Sequence, residues 1–176
     1  MNTPSAGRPL ELDADVYRSE RQSGSRNRAI AYMLQSFGVL DDPDEVLDAY
    51  FRQCSLRVST VDLARMAATL ARGGVNPQTG RRVTGPKVVQ RALSVMLTCG
   101  MYNAAGDWVS AVGMPAKSGV GGGILAVLPG QLGIGVYSPL LDDRGNSVRG
   151  VLVCRSLSER LGLHFLNVSR ESRATI

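Results

Sequence analysis

The sequence has few of the residues from which metal centres are built, with one histidine, His164, and three cysteines. Cys54, Cys99 and Cys154 are far apart and form no Cys-x-x-Cys pair, so we expect neither a metal ion nor another cofactor. Their number is odd and their neighbours are apolar. We therefore expect three buried, free thiols in a reducing compartment, and a protein located in the cytoplasm.

Long apolar runs and basic tracts are also absent. No apolar stretch reaches membrane-spanning length, and the residues after Met1 are polar and contain proline, unlike the apolar core of a signal peptide. The formal net charge is +5, but the arginines are scattered among acidic residues, without interleaved aromatic side chains. We expect neither a membrane nor a nucleic acid as a partner. The 176 residues are 44% hydrophobic and 20% charged, which fits one globular domain.

The first half of the chain has the periodicity of helices. Residues 2–16 have no periodicity, and we interpret residues 1–16 as an irregular segment. Helices are predicted from Arg26, from the cap Asp42 with its following proline, from the cap Thr60 and from Pro86. In the first of them the apolar residues recur on one face: Ala29, Ile30, Met33, Leu34 and Phe37.

After Gly100 the periodicity changes to that of strands. Strands are predicted over residues 108–112, 116–120, 124–128 and 132–137, with short, glycine-rich connections that favour antiparallel pairing. A turn over residues 142–146 then leads to a last helix from Ser147. Helices, then strands, then a helix predict an α+β fold. One covering helix would leave this thin sheet short of elements to cover its edges and its apolar face.

The glycine-rich stretch over residues 113–123 has the strongest chemical character. Lys117 and Ser118 precede glycines whose bare backbone amides suit an anion, or an oxygen that becomes anionic in a reaction. The plainer alternative is a hairpin turn. Residues 121–126 also match the dinucleotide pattern G-x-G-x-x-A, but that pattern needs a following helix, and Pro129 interrupts the chain.

The triplet at Lys117 resembles the K-T-G or K-S-G of penicillin-binding proteins and β-lactamases, which accompanies a Ser-x-x-Lys nucleophile. The printed sequence has no Ser-x-x-Lys, because the residues three before its two lysines are Thr84 and Met114. We interpret Thr84 as part of a loop. A hydrolase of this kind for some amide would rest on the triplet alone.

Four further side chains are candidates for binding. Glu20 can bind an ammonium group, and Asn27 can bind a carboxylate or an amide. The alternatives are a solvated glutamate and a helix-capping asparagine. Tyr50 and Tyr102 would more commonly be core or interface residues. His164 is predicted to lie at the surface without a partner.

Taken together, several stretches resemble the serine-dependent glutaminase family of bacteria and animals. They follow one another in the family's order over roughly residues 17–165: SERQSGSRNRAIAY (19–32), YFRQCS (50–55), MAATLARGG (66–74), CGMY (99–102), GMPAKSGVGGG (113–123), SPLLD (138–142) and GNS (145–147).

The resemblance implies hydrolysis of L-glutamine to L-glutamate and ammonia, on a fold like that of serine β-lactamases, by an enzyme that is a homo-oligomer when intact. Glu20, Asn27 and Tyr50 would hold the α-amino and α-carboxylate groups of glutamine. Tyr102 would contact the substrate near the nucleophile and assist proton transfer. Val120 would also contact the substrate, since its backbone N–H would bind the oxyanion.

The chain departs from the family in one respect. The family's Ser-x-x-Lys, a further substrate-binding tyrosine and an asparagine in an Asn-Ala-Gly-Ala stretch precede the segment with which this chain begins, and none of them is present. Residues 17–165 would therefore be the C-terminal part of a catalytic domain, inactive alone, and residues 166–176 a tail leading to a further domain. The alternative is a non-catalytic binding or interaction protein derived from a glutaminase.

Overall fold

A computed structural model describes residues 2–3 and 5–167, and the chain divides into two compact units. Unit 1 takes in Asn2 and residues 9–58, and unit 2 takes in Thr3 and residues 5–8 and 59–167. Near the N-terminus two short strands, β1 (Asn2–Thr3) and β2 (Arg8–Pro9), pair with each other.

Unit 1 consists of three helices, α1 (Ala14–Ser23), α2 (Ser25–Ser36) and α3 (Pro43–Cys54). As predicted, the Asp42 side chain accepts hydrogen bonds from the first turn of α3, and Pro43 occupies its first position. The core of the unit is formed by Ala31, Leu47 and Phe51.

One prediction for the N-terminal part of the chain is wrong. The segment over residues 1–16 is not wholly irregular, because it includes both short strands and the start of α1, whose polar sequence buries no residue and so gave no apolar stripe. The apolar face predicted for α2 is exposed at Ile30, Met33 and Phe37. Within α2 only Ala31 is buried, on the opposite side of that stripe.

Unit 2 has the predicted order of helices and antiparallel strands, and the α+β class is confirmed. Its sheet has the order β3 (Ala116–Ser118), β4 (Gly123–Leu128), β5 (Leu132–Tyr137). Its helices are α4 (Thr60–Ala71), α5 (Pro86–Cys99), α6 (Ala105–Ala111) and α7 (Val148–Leu161), with a 3-10 turn at Tyr102–Ala104.

The segment over residues 108–112 is not the predicted strand but belongs to α6 and its C-terminal cap. Its aromatic and β-branched residues favoured a strand, whereas Ala105, Trp108 and Val112 are buried at helical spacing. The Trp108 indole also donates a hydrogen bond of 2.7 Å to the Met114 carbonyl, which satisfies its one polar atom.

Helices pack on both faces of the sheet in unit 2, so the expectation of an uncovered face is wrong. On one face the backbone of α4 lies directly against β5, and a Cβ atom built on Gly133 would be 2.2 Å from the Ala68 nitrogen. Glycine is required there by that close approach. On the other face β4 packs into the core around Trp108 and Cys154.

The thiols and the histidine differ in part from expectation. All three cysteines are free, as expected, but only Cys154 is buried, whereas Cys54 and Cys99 are exposed. His164 has partners: its Nε2 lies 3.0 Å from the Val109 carbonyl, and its Nδ1 accepts from the Leu166 N–H. Nδ1 is therefore the unprotonated nitrogen, and Nε2–H donates to Val109.

The N-terminal cap of α4 is Ser59 and not Thr60, since Ser59 forms a reciprocal capping box with Asp62. No helix over residues 5–167 is long and apolar enough to cross a membrane. Residues 168–176, in the predicted tail over residues 166–176, lie outside the described part of the chain.

Candidate active site

The glycine-rich stretch forms the end of β3 and a tight turn into β4. The turn is closed by the Gly119 N–H, which donates to the Gly123 carbonyl at 2.9 Å, and by the Gly122 N–H, which donates to the Gly119 carbonyl at 2.9 Å. Gly122 has a φ of +94°, which favours glycine. Because a strand and not a helix follows, the dinucleotide interpretation is excluded.

Val120 lies in this turn with 71% of its surface exposed. Among the residues that the structure describes, no acceptor pairs with its backbone N–H. An exposed amide without a partner inside the protein is open to an acceptor on a ligand.

Tyr102 follows the buried Met101, three residues after the end of α5, and has an unusual backbone conformation. Its φ is 53°, and it is the one non-glycine residue with positive φ over residues 2–3 and 5–167. Its hydroxyl lies 3.4 Å from the Ser118 carbonyl, which also accepts a hydrogen bond from the Lys117 ammonium group. That ammonium nitrogen is 4.6 Å from the centre of the Tyr102 ring. The Tyr102 hydroxyl and the Lys117 ammonium group thus both contact the Ser118 carbonyl, with the cation near the aromatic ring.

Gly145 brings Tyr102 and Val120 into one neighbourhood. A Cβ atom built on Gly145 would lie 3.6 Å from Tyr102 Cε2 and 3.8 Å from Val120 Cγ1. A phenol, an ammonium group and an open backbone N–H therefore lie together in unit 2. Such a set can transfer a proton and stabilise a developing oxyanion.

The other three predicted site residues lie in unit 1, one on each helix. Glu20 is on α1 and Asn27 on α2, both half-buried, and Tyr50 on α3 is 46% exposed. Asn27 is not a helix cap, because Gly24 holds the cap position of α2.

Gly24 forms the corner between α1, which carries Glu20, and α2, which carries Asn27. A Cβ atom on Gly24 would lie 2.5 Å from the Phe51 ring, so only glycine lets α1 turn into α2 over that ring. Tyr50, the neighbour of Phe51, meets it edge to face with ring centres 6.0 Å apart. The buried Phe51 therefore supports both the corner and the helix turn that carries Tyr50.

The predicted site residues line neither of two cavities in the described part of the chain. In unit 1 a cavity of about 360 Å³ is lined by Arg21, Arg28, Asp44, Leu47, Asp48 and Phe51. Its carboxylates are already engaged: Asp48 accepts from Tyr17 and Arg52, and Asp44 accepts from Tyr32. The Tyr17 hydrogen bond lowers the pKa of Asp48 below its ordinary value. In unit 2 an apolar cavity of about 370 Å³ lies between α4 and α5.

Sequence reasoning missed how Lys117, Gly145 and Asn146 surround Tyr102. Lys117 was noted only as part of its triplet, and the signal for the other two was the predicted turn over residues 142–146. A turn is recognisable from its sequence, but the partner that it contacts is not.

The sequence profile of the Glutaminase family matches residues 1–166. The chain belongs to this family. A protein named Glutaminase from Microcystis aeruginosa is 56% identical over 168 residues, which are 95% of this chain and 50% of that protein. The chain thus spans half the length of this glutaminase.

Solved glutaminase structures agree with the fold. The crystal structure of Mglu in its glutamate form has a TM-score of 0.88 and 51% identity, over 93% of this chain and 38% of that one. A Bacillus subtilis glutaminase, YbgJ, was solved as a covalent complex with 5-oxo-L-norleucine. It has a TM-score of 0.87 and 37% identity, over 92% of this chain and 58% of that one.

Proposed function

We propose that this chain supplies the substrate-binding and oxyanion-stabilising part of an enzyme that hydrolyses L-glutamine to L-glutamate and ammonia. The observation that carries the proposal is the open Val120 N–H beside Tyr102 and Lys117, in a member of the glutaminase family. The glutamate form of Mglu supports glutamine as the substrate.

In the proposed reaction a nucleophilic serine attacks the side-chain carboxamide carbon of glutamine. The carbonyl oxygen becomes an oxyanion and accepts a hydrogen bond from the Val120 N–H. The C–N bond then breaks, and the nitrogen leaves as ammonia after taking up a proton. Water finally cleaves the acyl-enzyme to release L-glutamate.

Tyr102 is proposed to move protons between the nucleophile and the leaving nitrogen. The Lys117 ammonium group near its ring favours negative charge on the phenol oxygen, so the hydroxyl can give up a proton and regain it. In unit 1 the Glu20 carboxylate is proposed to bind the α-amino group of glutamine. The Asn27 amide and the Tyr50 hydroxyl are proposed to bind its α-carboxylate.

Further proposals follow from membership of the family. The intact enzyme is proposed to be a cytoplasmic homo-oligomer with a fold of the serine β-lactamase type. The 176-residue chain alone is proposed to be inactive, because nucleophile and base act as a unit and the printed sequence has no Ser-x-x-Lys.

The test joins this chain to the part of the Microcystis glutaminase that it does not match, on one polypeptide. We expect ammonia release from L-glutamine by the joined protein and none above background from the chain alone. Tyr102→Phe should lower kcat at least tenfold. Tyr137→Phe, at a 59% exposed tyrosine of β5 in the same unit, should leave kcat within twofold. Turnover by the chain alone, abolished by changing one of its own serines, would place the nucleophile here instead.

A second candidate is a non-catalytic binding protein derived from a glutaminase. The observation that favours it is the position of Thr84, which is the one hydroxyl residue three positions before a lysine. Thr84 precedes α5, which starts at Pro86, so Thr84 and Lys87 do not share a continuous helical turn. A joined protein that binds L-glutamine in calorimetry, is well folded and releases no ammonia would support this candidate.

A further inference from the structure

The buried residue Asn146 contacts the peptide group that precedes Tyr102. Asn146 and Met101 are each 1% exposed, and the Asn146 side-chain nitrogen Nδ2 donates to the Met101 carbonyl at 3.5 Å. The same carbonyl accepts from the Ala104 N–H at 3.1 Å. The Met101 carbonyl therefore has a donor from its own turn and one from a distant loop.

Tyr102 needs such a restraint because of its backbone conformation. A non-glycine residue with a φ of 53° is strained, and the strain persists only where the surroundings hold it. The Met101 carbonyl belongs to the peptide group that joins the two residues. A donor fixed on that carbonyl limits the rotation that would relax Tyr102.

The loop over residues 142–146 holds Asn146 in a fixed place. The Asp142 Oδ1 atom accepts from the N–H groups of Arg144, at 2.9 Å, and of Asn146, at 2.8 Å. The Asp142 N–H in turn donates to the Asn146 carbonyl at 2.8 Å. The Arg144 guanidinium group pairs with Asp107 on α6 at 2.6 Å. The loop that carries Asn146 is thus held by its own hydrogen bonds and by the ion pair with α6.

Only the nitrogen of the Asn146 side-chain amide has a hydrogen-bond partner in the described chain. Within the described chain its Oδ1 is buried and has no hydrogen-bond partner. A buried, unsatisfied carbonyl oxygen is unfavourable for stability alone and calls for another explanation. Within the described chain, the one hydrogen bond of the Asn146 side-chain amide is the one that it donates to the Met101 carbonyl.

We propose that Asn146 is a positioning residue for Tyr102. The Asn146 amide donates a hydrogen bond to the Met101 carbonyl, and the neighbouring Gly145 lies against the ring of Tyr102. Together they keep the phenol beside Lys117 and the Ser118 carbonyl. The relevance of this to catalysis rests on the proposed function, in which Tyr102 transfers protons, but the positioning itself can be measured without activity.

The test uses the full 176-residue chain, in which all five tyrosines are replaced by 3-fluorotyrosine. The fluorine signal of Tyr102 is assigned by its loss in Tyr102→Phe. In Asn146→Ala we expect that signal to shift by more than its line width or to split. The matched control is Asn76→Ala in the same unit, where a fully buried asparagine donates to the Ser5 carbonyl at 3.0 Å. It should lower the melting temperature and leave the Tyr102 signal in place.

An unchanged Tyr102 signal in folded Asn146→Ala would overturn the proposal. If that variant does not fold, Asp142→Ala is tested in its place. It removes the carboxylate that holds the loop, and Asp142 is exposed, so the change leaves the core intact. Its Tyr102 signal should shift, and an unshifted signal would equally overturn the proposal. A shifted signal together with an inactive joined protein would contradict the glutaminase proposal and leave the positioning intact.

Discussion

The proposed role of Val120 uses its backbone N–H and not its side chain, and the residue is 71% exposed. The predicted strand over residues 116–120 would have packed that side chain, but β3 ends at Ser118. Val120→Ala keeps the N–H and should change the free energy of unfolding by less than about 0.5 kcal/mol. Val120→Pro removes the N–H and should lower kcat of the joined protein about a hundredfold or more.

The comparison needs unchanged circular dichroism spectra, because proline also restricts the backbone. A backbone ester at Val120, made by semisynthesis, removes the N–H with less distortion. If the well-folded ester protein keeps full kcat, the Val120 N–H is not the oxyanion donor.

The three thiols should differ in reactivity. Burial raises the pKa of the Cys154 thiol to about 12, so almost none of its reactive thiolate exists at neutral pH. Cys54 and Cys99 are exposed. With a thiol reagent at pH 8 we expect two thiols to react quickly and the third only after denaturation. A fast reaction of all three would show that Cys154 is accessible in solution.

At the scale of single elements, the corner between α1 and α2 depends on Gly24. Gly24→Ala places a methyl group against the Phe51 ring and should destabilise unit 1 by about 1–3 kcal/mol. Gly106→Ala is the matched control, since no atom lies within 4 Å of its added methyl group and alanine favours a helix. Urea unfolding should show opposite signs for the two changes, and an equal effect would argue against the packing account.

The N-terminus of α4 should make stability depend on pH through Asp62. Its two carboxylate oxygens accept from the Arg8 guanidinium at 2.6 and 2.9 Å, and this pairing holds the pKa of Asp62 well below its ordinary value of 3.8. The stabilisation is complete above the unfolded-state pKa and is lost as the pH falls through lower values.

Asp62→Asn should therefore lower the free energy of unfolding by about 2 kcal/mol at pH 7. The difference from the unchanged protein should shrink as the pH falls below about 4. Urea titrations at several pH values test this, and a gap that is the same at pH 7 and pH 2 would exclude the ion pair as its cause.

Elements with a strong periodic signal could be predicted from the sequence, and others could not. Asp42 with Pro43, and the strand Leu132–Tyr137, follow from local chemistry, and the structure has them at the predicted places. The helix at Trp108 could not be told from a strand, because a short apolar run fits both and only its packing decides. In the candidate site the glycine-rich turn was predictable, whereas the contact of Asn146 with Met101 joins distant parts of the chain.

At the scale of the whole molecule, the exposed stripe of α2 should promote association. Ile30, Met33 and Phe37 are 43%, 53% and 73% exposed on one face of the helix. Contiguous apolar surface of this kind favours self-association. We expect the chain to form oligomers or aggregates in light scattering, and Phe37→Ser combined with Met33→Ser to reduce them.

Leu152→Ser, at a 59% exposed residue of α7, is the control and should leave association unchanged. A clean monomer that binds no dye for apolar surfaces would contradict this prediction. Such a result would also favour the binding-protein candidate over the glutaminase part.

The contact of α4 with the glycines of β5 has a consequence for synthesis on the ribosome. Ala67 and Ala68 leave the exit tunnel long before Gly133, against which they pack. At a typical elongation rate of about 5–20 residues per second, α4 waits for several seconds without its partner strand. During that interval its apolar face is available to chaperones, so the yield of folded protein in cells should depend on them more than equilibrium stability alone would suggest.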